Sequence, residues 1–343
     1  MTEKDYSGVT TSKIGKNAKT NSNVKEQINT IKKEKKITQD KKEQEISQES
    51  IESYIKVGKA SRQIKEYIKQ ITKKDTPLLE LAEKIENKIY ELGFEPAFPV
   101  NISIDEIAAH YTPDAQDNSK AQGLIKIDFG LHYEGYISDN AITIDLTPEK
   151  KYKTLIESTE KALQNALEYV KKNKENSKIN EIGQIIQDSI EKYGFAPIRN
   201  LSGHSLEQYE IHSGITIPNY NNGNQKELGY GAFAIEPFAT TGKGLVIDSQ
   251  GSNIFYIANQ GQVRSQGARE VLKWILDIKK TLPFSSREIE KKFGIKGKLA
   301  IRELLNNNII KEFEKLVEES RSIVSQAECS FIITPEKIHI FND

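Results

Sequence analysis

The stretch LIKIDFGLHYEGYISDNAITIDL, residues 124–146, decides the fold. It reads as two extended runs, Leu124 to Phe129 and Tyr136 to Leu146, joined by a short break, the pattern of a β-hairpin. With Tyr133-Glu134 as the turn, Asp128 falls directly opposite Asp139. Directly opposed side chains on one sheet face have Cβ atoms roughly 4.5–5.5 Å apart. Two carboxylates so close repel, and one is driven towards its protonated form unless a cation lies between them. A metal pair about 3.5–4 Å apart, as in dinuclear hydrolytic sites, resolves that conflict. The other reading is a hairpin whose two aspartates are turn or edge residues in water.

Outward from the hairpin the pattern is helical. Ile51, Tyr54, Ile55, Val57, Ile64, Ile68 and Ile71 predict one long helix, and Leu78 to Leu92 a second that Gly93 closes. Two more helices are expected near Glu149 to Lys172 and Ile179 to Tyr193, with Gly194 stopping the latter. Further extended segments follow around Phe98 to Ile104, Ile211 to Ile217, Ala232 to Ala239 and Glu328 to Ile333. The order helix, helix, glycine, strands thus occurs twice. Gly93-Phe94-Glu95-Pro96 and Gly194-Phe195-Ala196-Pro197 share Gly-Phe-x-Pro, which points to a duplication with two-fold symmetry. Gly-Phe-x-Pro is also simply a common way to leave a helix. Between about 261 and 322 a compact helical stretch reads as an insertion into a larger domain of residues 49–343; Ser285-Ser286-Arg287-Glu288 is a capping box there.

Composition bounds the function. Lysine plus arginine and aspartate plus glutamate each number 49, a balance that argues against a dedicated nucleic-acid binder. Cys329 is the single cysteine, so no disulfide forms within the chain and a reducing cytoplasm is the natural setting. No apolar run approaches the ~20 residues of a membrane span. Residues 1–48 are rich in Lys, Asn, Gln and Ser and read as a disordered tail, either merely solvated or a tether to an acidic surface such as ribosomal RNA.

The carboxylates gain partners when His110, His132, His204, His212 and His339 are placed. His204 follows Gly203, His212 comes eight residues later, and His110 lies in Ala108-Ala109-His110-Tyr111-Thr112-Pro113. Glu236 and Glu328 are charges inside otherwise apolar strands, costly unless paired or metal-bound. Carboxylates plus imidazole suit Mn, Fe, Co or Zn. Rival chemistries fare worse: Gly242-Lys243-Gly244 lacks the flanking residues of a phosphate-binding loop, no Gly-x-Ser-x-Gly elbow is present, and a lone strand cysteine is usually a small buried hydrophobe.

In order along the chain, Phe98-Pro99, Ala108 to Pro113, Lys126 to Gly130, Gly203-His204-Ser205, Ile211-His212-Ser213-Gly214, Ala234-Ile235-Glu236 with Thr241 to Gly244, and Gln326-Ala327-Glu328 resemble the type 2 methionine aminopeptidases. The resemblance spans roughly residues 50 to 343. It implies an α/β (α+β) pita-bread (creatinase/aminopeptidase) fold with a pseudo-two-fold sheet core, and it matches the 261–322 segment to the helical insertion of type 2 enzymes. It implies that Asp128, Asp139, His204, Glu236 and Glu328 hold two divalent metal ions, Asp139 and Glu328 bridging them. His110 and His212 match substrate-contacting histidines, Glu236 a proton shuttle, and Phe98, Ile211, Phe238 and Phe313 the apolar methionine pocket, though ordinary core is the alternative for these four. The implied activity is removal of the initiator methionine from nascent polypeptides when the second residue is small, with a monomer as default. Leu131 departs from the polar residue often found after this Asp-Phe-Gly, and no pocket histidine stands near Ile254; both bear on substrate range. An Xaa-Pro dipeptidase of the same fold and a non-catalytic ribosome- or nucleic-acid-binding relative are the rivals.

Overall fold

The computed structural model describes residues 46–341, so the proposed tail, 1–48, falls outside the described residues except for its last three. The expected helices form where apolar side chains recur every three or four positions. Helix α1 (Gln48–Ile71) buries Val57, Ala60, Ile64 and Ile68, and α2 (Leu78–Glu91) buries Leu81, Ile85 and Ile89. The Ser47 hydroxyl caps α1 by accepting from the Ser50 N–H. In the second pair, α3 (Lys153–Asn173) buries Leu155, Ala162, Ala166 and Val170, and α4 (Ile179–Glu191) buries Ile182, Ile186 and Ile190. Helix α3 starts later than the sequence predicts, because Pro148–Lys150 forms a separate 3₁₀ turn in which Glu149 and Lys150 have φ of 60° and 55°, incompatible with an α-helix. Each pair ends on a glycine with φ of 82°, Gly93 and Gly194, leading into a two-residue strand, Glu95–Pro96 and Ala196–Pro197. The repeated Gly-Phe-x-Pro is therefore a repeated backbone geometry.

Nine strands form the main sheet: β1 (Glu95–Pro96), β2 (Asn101–Ile104), β3 (Leu124–Tyr133), β4 (Tyr136–Asp145), β5 (Ser202–Leu206), β6 (Thr216–Pro218), β7 (Gly231–Ile235), β8 (Glu328–Ile333) and β9 (Ile338–Ile340). Their order is β1-β3-β4-β8-β7-β5-β6, with β2 on β3 and β9 on β8, and every pairing is antiparallel. Helices α1 and α2 pack on Ile125, Ile127, Phe129 and Leu131 of β3; α3 and α4 pack on Phe233 and Ile235 of β7 and Cys329, Phe331 and Ile333 of β8. Each such side chain contributes roughly 1.5–3 kcal/mol through burial. Since strand side chains alternate, the residues between them, Asp128, Ala234, Glu328 and Ser330 among them, face away from the helices.

Other sequence expectations need correction: the extended run expected from Ile211 to Ile217 is a strand only from Thr216, and the 261–322 stretch leaves helix after Asn306 for the strands Ile310–Glu312 and Lys315–Glu318. The hairpin turn is Glu134-Gly135, with Tyr133 opposite Tyr136, φ of 52° and 88° at its two centres, the positive pair a two-residue primed turn demands. Asp128 therefore pairs with Ala141, and Asp139 with Gly130. The aspartates are diagonal neighbours on one face, not directly opposed. The expected run from Ala232 to Ala239 is broken at Glu236-Pro237 into β7 and a strand Phe238–Thr240 of another small sheet, since Pro237 has no N–H to give a ladder.

A helical unit with its own core follows. It comprises α5 (Gln266–Trp274), a π-helical turn Ile275–Lys279, α6 (Ser286–Phe293) and α7 (Ile295–Asn306), packed around Val271, Ile275, Phe284, Ile289 and Leu304. Half of the capping box forms: Ser285 accepts from the Glu288 N–H at 3.1 Å, while the Glu288 carboxylate turns to Lys279 at 2.7 Å. Among the described residues no helix is long and apolar enough to cross a membrane.

Candidate metal centre

Five adjacent strands deliver the predicted ligands to the open face of the sheet. Asp128 comes from β3, Asp139 from β4, Glu328 from β8 and His204 from β5, and Glu236 directly follows β7. The register places them: Ala141 pairs with both Asp128 and Glu328, and Ala234 pairs with His204. Ligand atoms of Asp139, His204 and Glu328 all lie within 4.8 Å of one another. His204 Nε2 is 3.6 Å from Asp139 Oδ2 and 4.0 Å from Glu236 Oε1. Asp139, His204 and Glu328 are buried, at 4%, 6% and 1% exposure.

This gathering is electrostatically unstable on its own. Burial holds the Asp128 carboxyl up at about 7. Burial and the neighbouring carboxylates push Asp139, Glu236 and Glu328 well above the carboxylate range. Burial also lowers His204 to about 4, which keeps its imidazole neutral and ready to donate a lone pair. Asp128 Oδ1, Asp139 Oδ1 and Glu328 Oε2 are buried and accept no hydrogen bond, against the rule that buried polar atoms are satisfied. Orphaned carboxylate oxygens beside a neutral imidazole are the donor set of a borderline divalent cation, so the residues fit a metal.

The two other predicted histidines flank this cluster from different elements. The His212 ring stands 4.4 Å from that of His204, edge to face; desolvation first, then the His204 and His110 imidazoles, hold it well below its usual range, although the residue keeps surface open to solvent. His110 has φ of 58°, its Nδ1 lies 3.1 Å from the Glu314 carbonyl, and burial lowers its pKa. Because a carbonyl only accepts, Nδ1 carries the proton and Nε2 is left as an acceptor. Of the four predicted pocket residues, Phe98 and Ile211 share one apolar cluster, and the Phe313 ring lies 5.3 Å from that of His110, tilted by 60°. Phe238 lies apart, 1% exposed in a separate cluster with Ala108 and Ala109.

The residues that hold the proposed ligands carried no role in the sequence reading. The Ser330 hydroxyl accepts from the Asp139 N–H and donates to the Asp139 carbonyl, both at 2.8 Å, closing the β4–β8 ladder where main-chain pairing ends at Cys329 and Asn140. Gln326 Nε2 donates to Asp128 Oδ2 at 3.3 Å, and Gln326 is itself fixed through its main chain by the Thr143 hydroxyl. Period-two spacing from Glu328 was the one available signal for Ser330.

An antiparallel sheet backed by two helix pairs, with carboxylates and an imidazole gathered on its open face, defines a metallohydrolase of the pita-bread class. Residues 52–269 match the model of metallopeptidase family M24. The methionine aminopeptidase of Methanocaldococcus jannaschii is 41% identical over 85% of this chain and 98% of its own length, and that of Pyrococcus abyssi is 40% identical over 84% and 98%. The chain belongs to the methionine aminopeptidases of family M24. Among solved structures, a thermophilic Arx1 superposes with a TM-score of 0.72 at 15% identity, over 86% of this chain and 91% of its own. The methionine aminopeptidase of Thermotoga maritima gives 0.61 at 20%, over 87% and 98%, and the prolidase of Pyrococcus furiosus 0.52 at 19%, over 87% and 64%; these likenesses concern the fold.

Proposed function

We propose that the chain releases the N-terminal methionine of polypeptides whose second residue is small, using two divalent ions held by Asp128, Asp139, His204, Glu236 and Glu328. The observation that carries this reading is the convergence of Asp139, His204 and Glu328 ligand atoms within 4.8 Å in a chain of this family. Ionised, the four clustered carboxylates carry a formal charge that two divalent cations balance and one does not. When bound, such a pair supplies an acidified water as nucleophile and polarises the scissile carbonyl; Mn, Fe, Co and Zn all suit the donors.

The chain's own residues supply the rest. Glu236, partly open and beside the cluster, takes the proton of the attacking water and passes it to the leaving amine. His212, neutral, donates its ring N–H to the oxygen that gains charge. His110, its proton fixed on Nδ1 by the Glu314 carbonyl, offers Nε2 to a substrate N–H. Phe98, Ile211 and Phe313 wall the methionine side chain, an adaptable thioether that suits such a surface, whereas Phe238, 1% exposed in its own cluster with Ala108 and Ala109, belongs to the core. The helical unit within 261–322 corresponds to the insertion of type 2 enzymes, and residues 49–343 form the catalytic domain.

The test is release of free methionine from Met-Ala and Met-Leu peptides, with an Xaa-Pro dipeptide as control. The expected outcome is cleavage of Met-Ala alone, lost in Asp139→Asn. Cleavage of the Xaa-Pro dipeptide without methionine release would transfer the chain to the dipeptidase reading.

A further inference from the structure

Arg287 opens α6 of the helical unit yet does not serve that unit's own core. It is 4% exposed, and its guanidinium reaches out to three partners. Nη2 donates to Glu86 Oε1 of α2; Nη1 donates to Thr112 Oγ1 at 3.0 Å and to the Pro113 carbonyl. Glu86 Oε1 also accepts from the Val100 N–H at 3.2 Å, and the Thr112 hydroxyl donates to the Val100 carbonyl at 2.7 Å. One planar cation therefore ties the segment just after His110 to the chain just before β2. Around it the Thr112 N–H donates to the Ser252 carbonyl and the Asn253 amide to the Thr112 carbonyl, so Thr112 is held on every side.

A buried ion pair adds little net stability over a well-packed apolar pair, but a guanidinium fixes direction through its rigid fork of donors. What this fork fixes is the backbone two and three residues beyond His110, which holds a positive φ of 58°, a conformation a non-glycine residue keeps only when its surroundings impose it. We propose that Arg287 is a positioning residue for His110, through which the helical unit sets the orientation of the imidazole. The inference rests on the reading of His110 as a substrate-contacting group. Arg287 itself touches none of the proposed ligands.

The test is a double-mutant cycle on the full chain, reading kcat and KM for a Met-Ala peptide together with calorimetric Mn²⁺ affinity. Arg287→Met is expected to lower kcat/KM about tenfold or more while leaving Mn²⁺ affinity unchanged, and Arg287→Lys to recover part of the loss. In a His110→Ala background the same Arg287→Met change is expected to cost less than about twofold, since the group it positions is gone. Should Arg287→Met not fold, Thr112→Val, which deletes only the hydroxyl between guanidinium and Val100, carries the same expectations. Equal losses in both backgrounds, a parallel loss of Mn²⁺ affinity, or no loss at all would overturn the proposal. His110→Ala with full activity would instead remove the reading of His110 on which it stands.

Discussion

Ser330 shows how much of the site depends on groups that never touch a metal. Its single hydroxyl satisfies both main-chain polar groups of Asp139, so Ser330→Ala leaves a buried N–H and C=O unpaired, at roughly 1–3 kcal/mol each. Groups that orient ligands typically alter metal affinity by about 10–100-fold. Ser330→Ala is therefore expected to weaken Mn²⁺ binding within that range while the protein stays folded, as calorimetric titration would show; unchanged affinity would mean Asp139 is held by the sheet alone. The proposed ligands were legible in the sequence because Glu236 and Glu328 are charges in otherwise apolar stretches. Ser330, Gln326 and Thr143 were not, since small polar residues on strands carry no such signature until the register is known. Arg287 read only as a member of a capping box, and its reach to Glu86 and Thr112 is a tertiary fact.

At the scale of the element, the β3–β4 hairpin explains both a success and an error. Reading the turn one position early left every side chain on its correct face, because the pairing shifted by two residues and strands alternate with period two. What period cannot resolve is the pairing itself, which the positive φ of Glu134 and Gly135 decides. The turn is held from below: His132, 5% exposed, accepts from the Gly135 N–H at 3.1 Å through Nδ1. Burial first, then Lys279 and Lys280, lowers His132 to about 4. The folded state thus binds this proton less readily than the unfolded chain, at 6.5. The stabilising contribution is full above pH 6.5 and is lost as pH falls towards 4, up to ~3 kcal/mol. His132→Gln, which keeps an acceptor without a charge change, is expected to flatten the acid limb of stability between pH 6.5 and 4 by up to one proton, measured by urea unfolding at each pH. An unaltered limb would mean His132 protonates freely in the folded protein.

For the whole molecule, the helix pairs and their repeated glycine exits were legible from apolar periodicity alone, and they form two cores on one side of the sheet. The cost of that architecture is a cluster of repelling carboxylates on the other side. A divalent cation that binds only the folded state stabilises it by about 2.7 kcal/mol at a hundredfold excess over Kd. Chelation is therefore expected to lower Tm by several degrees and metal to restore it, whereas Asp139→Asn should respond less to both. Scanning calorimetry with and without Mn²⁺ checks this; identical melting under the two conditions would speak against a metal in the fold.

Metal-dependent methionine removal is tested by measuring release from a Met-Ala peptide as Mn, Fe, Co or Zn is returned to chelator-stripped protein. The stripped protein is expected to release none, release is expected to return with at least one of the four ions, and Asp139→Asn is expected to release none at any ion concentration. Release that persists through chelation, or that no ion restores, would contradict metal-dependent removal.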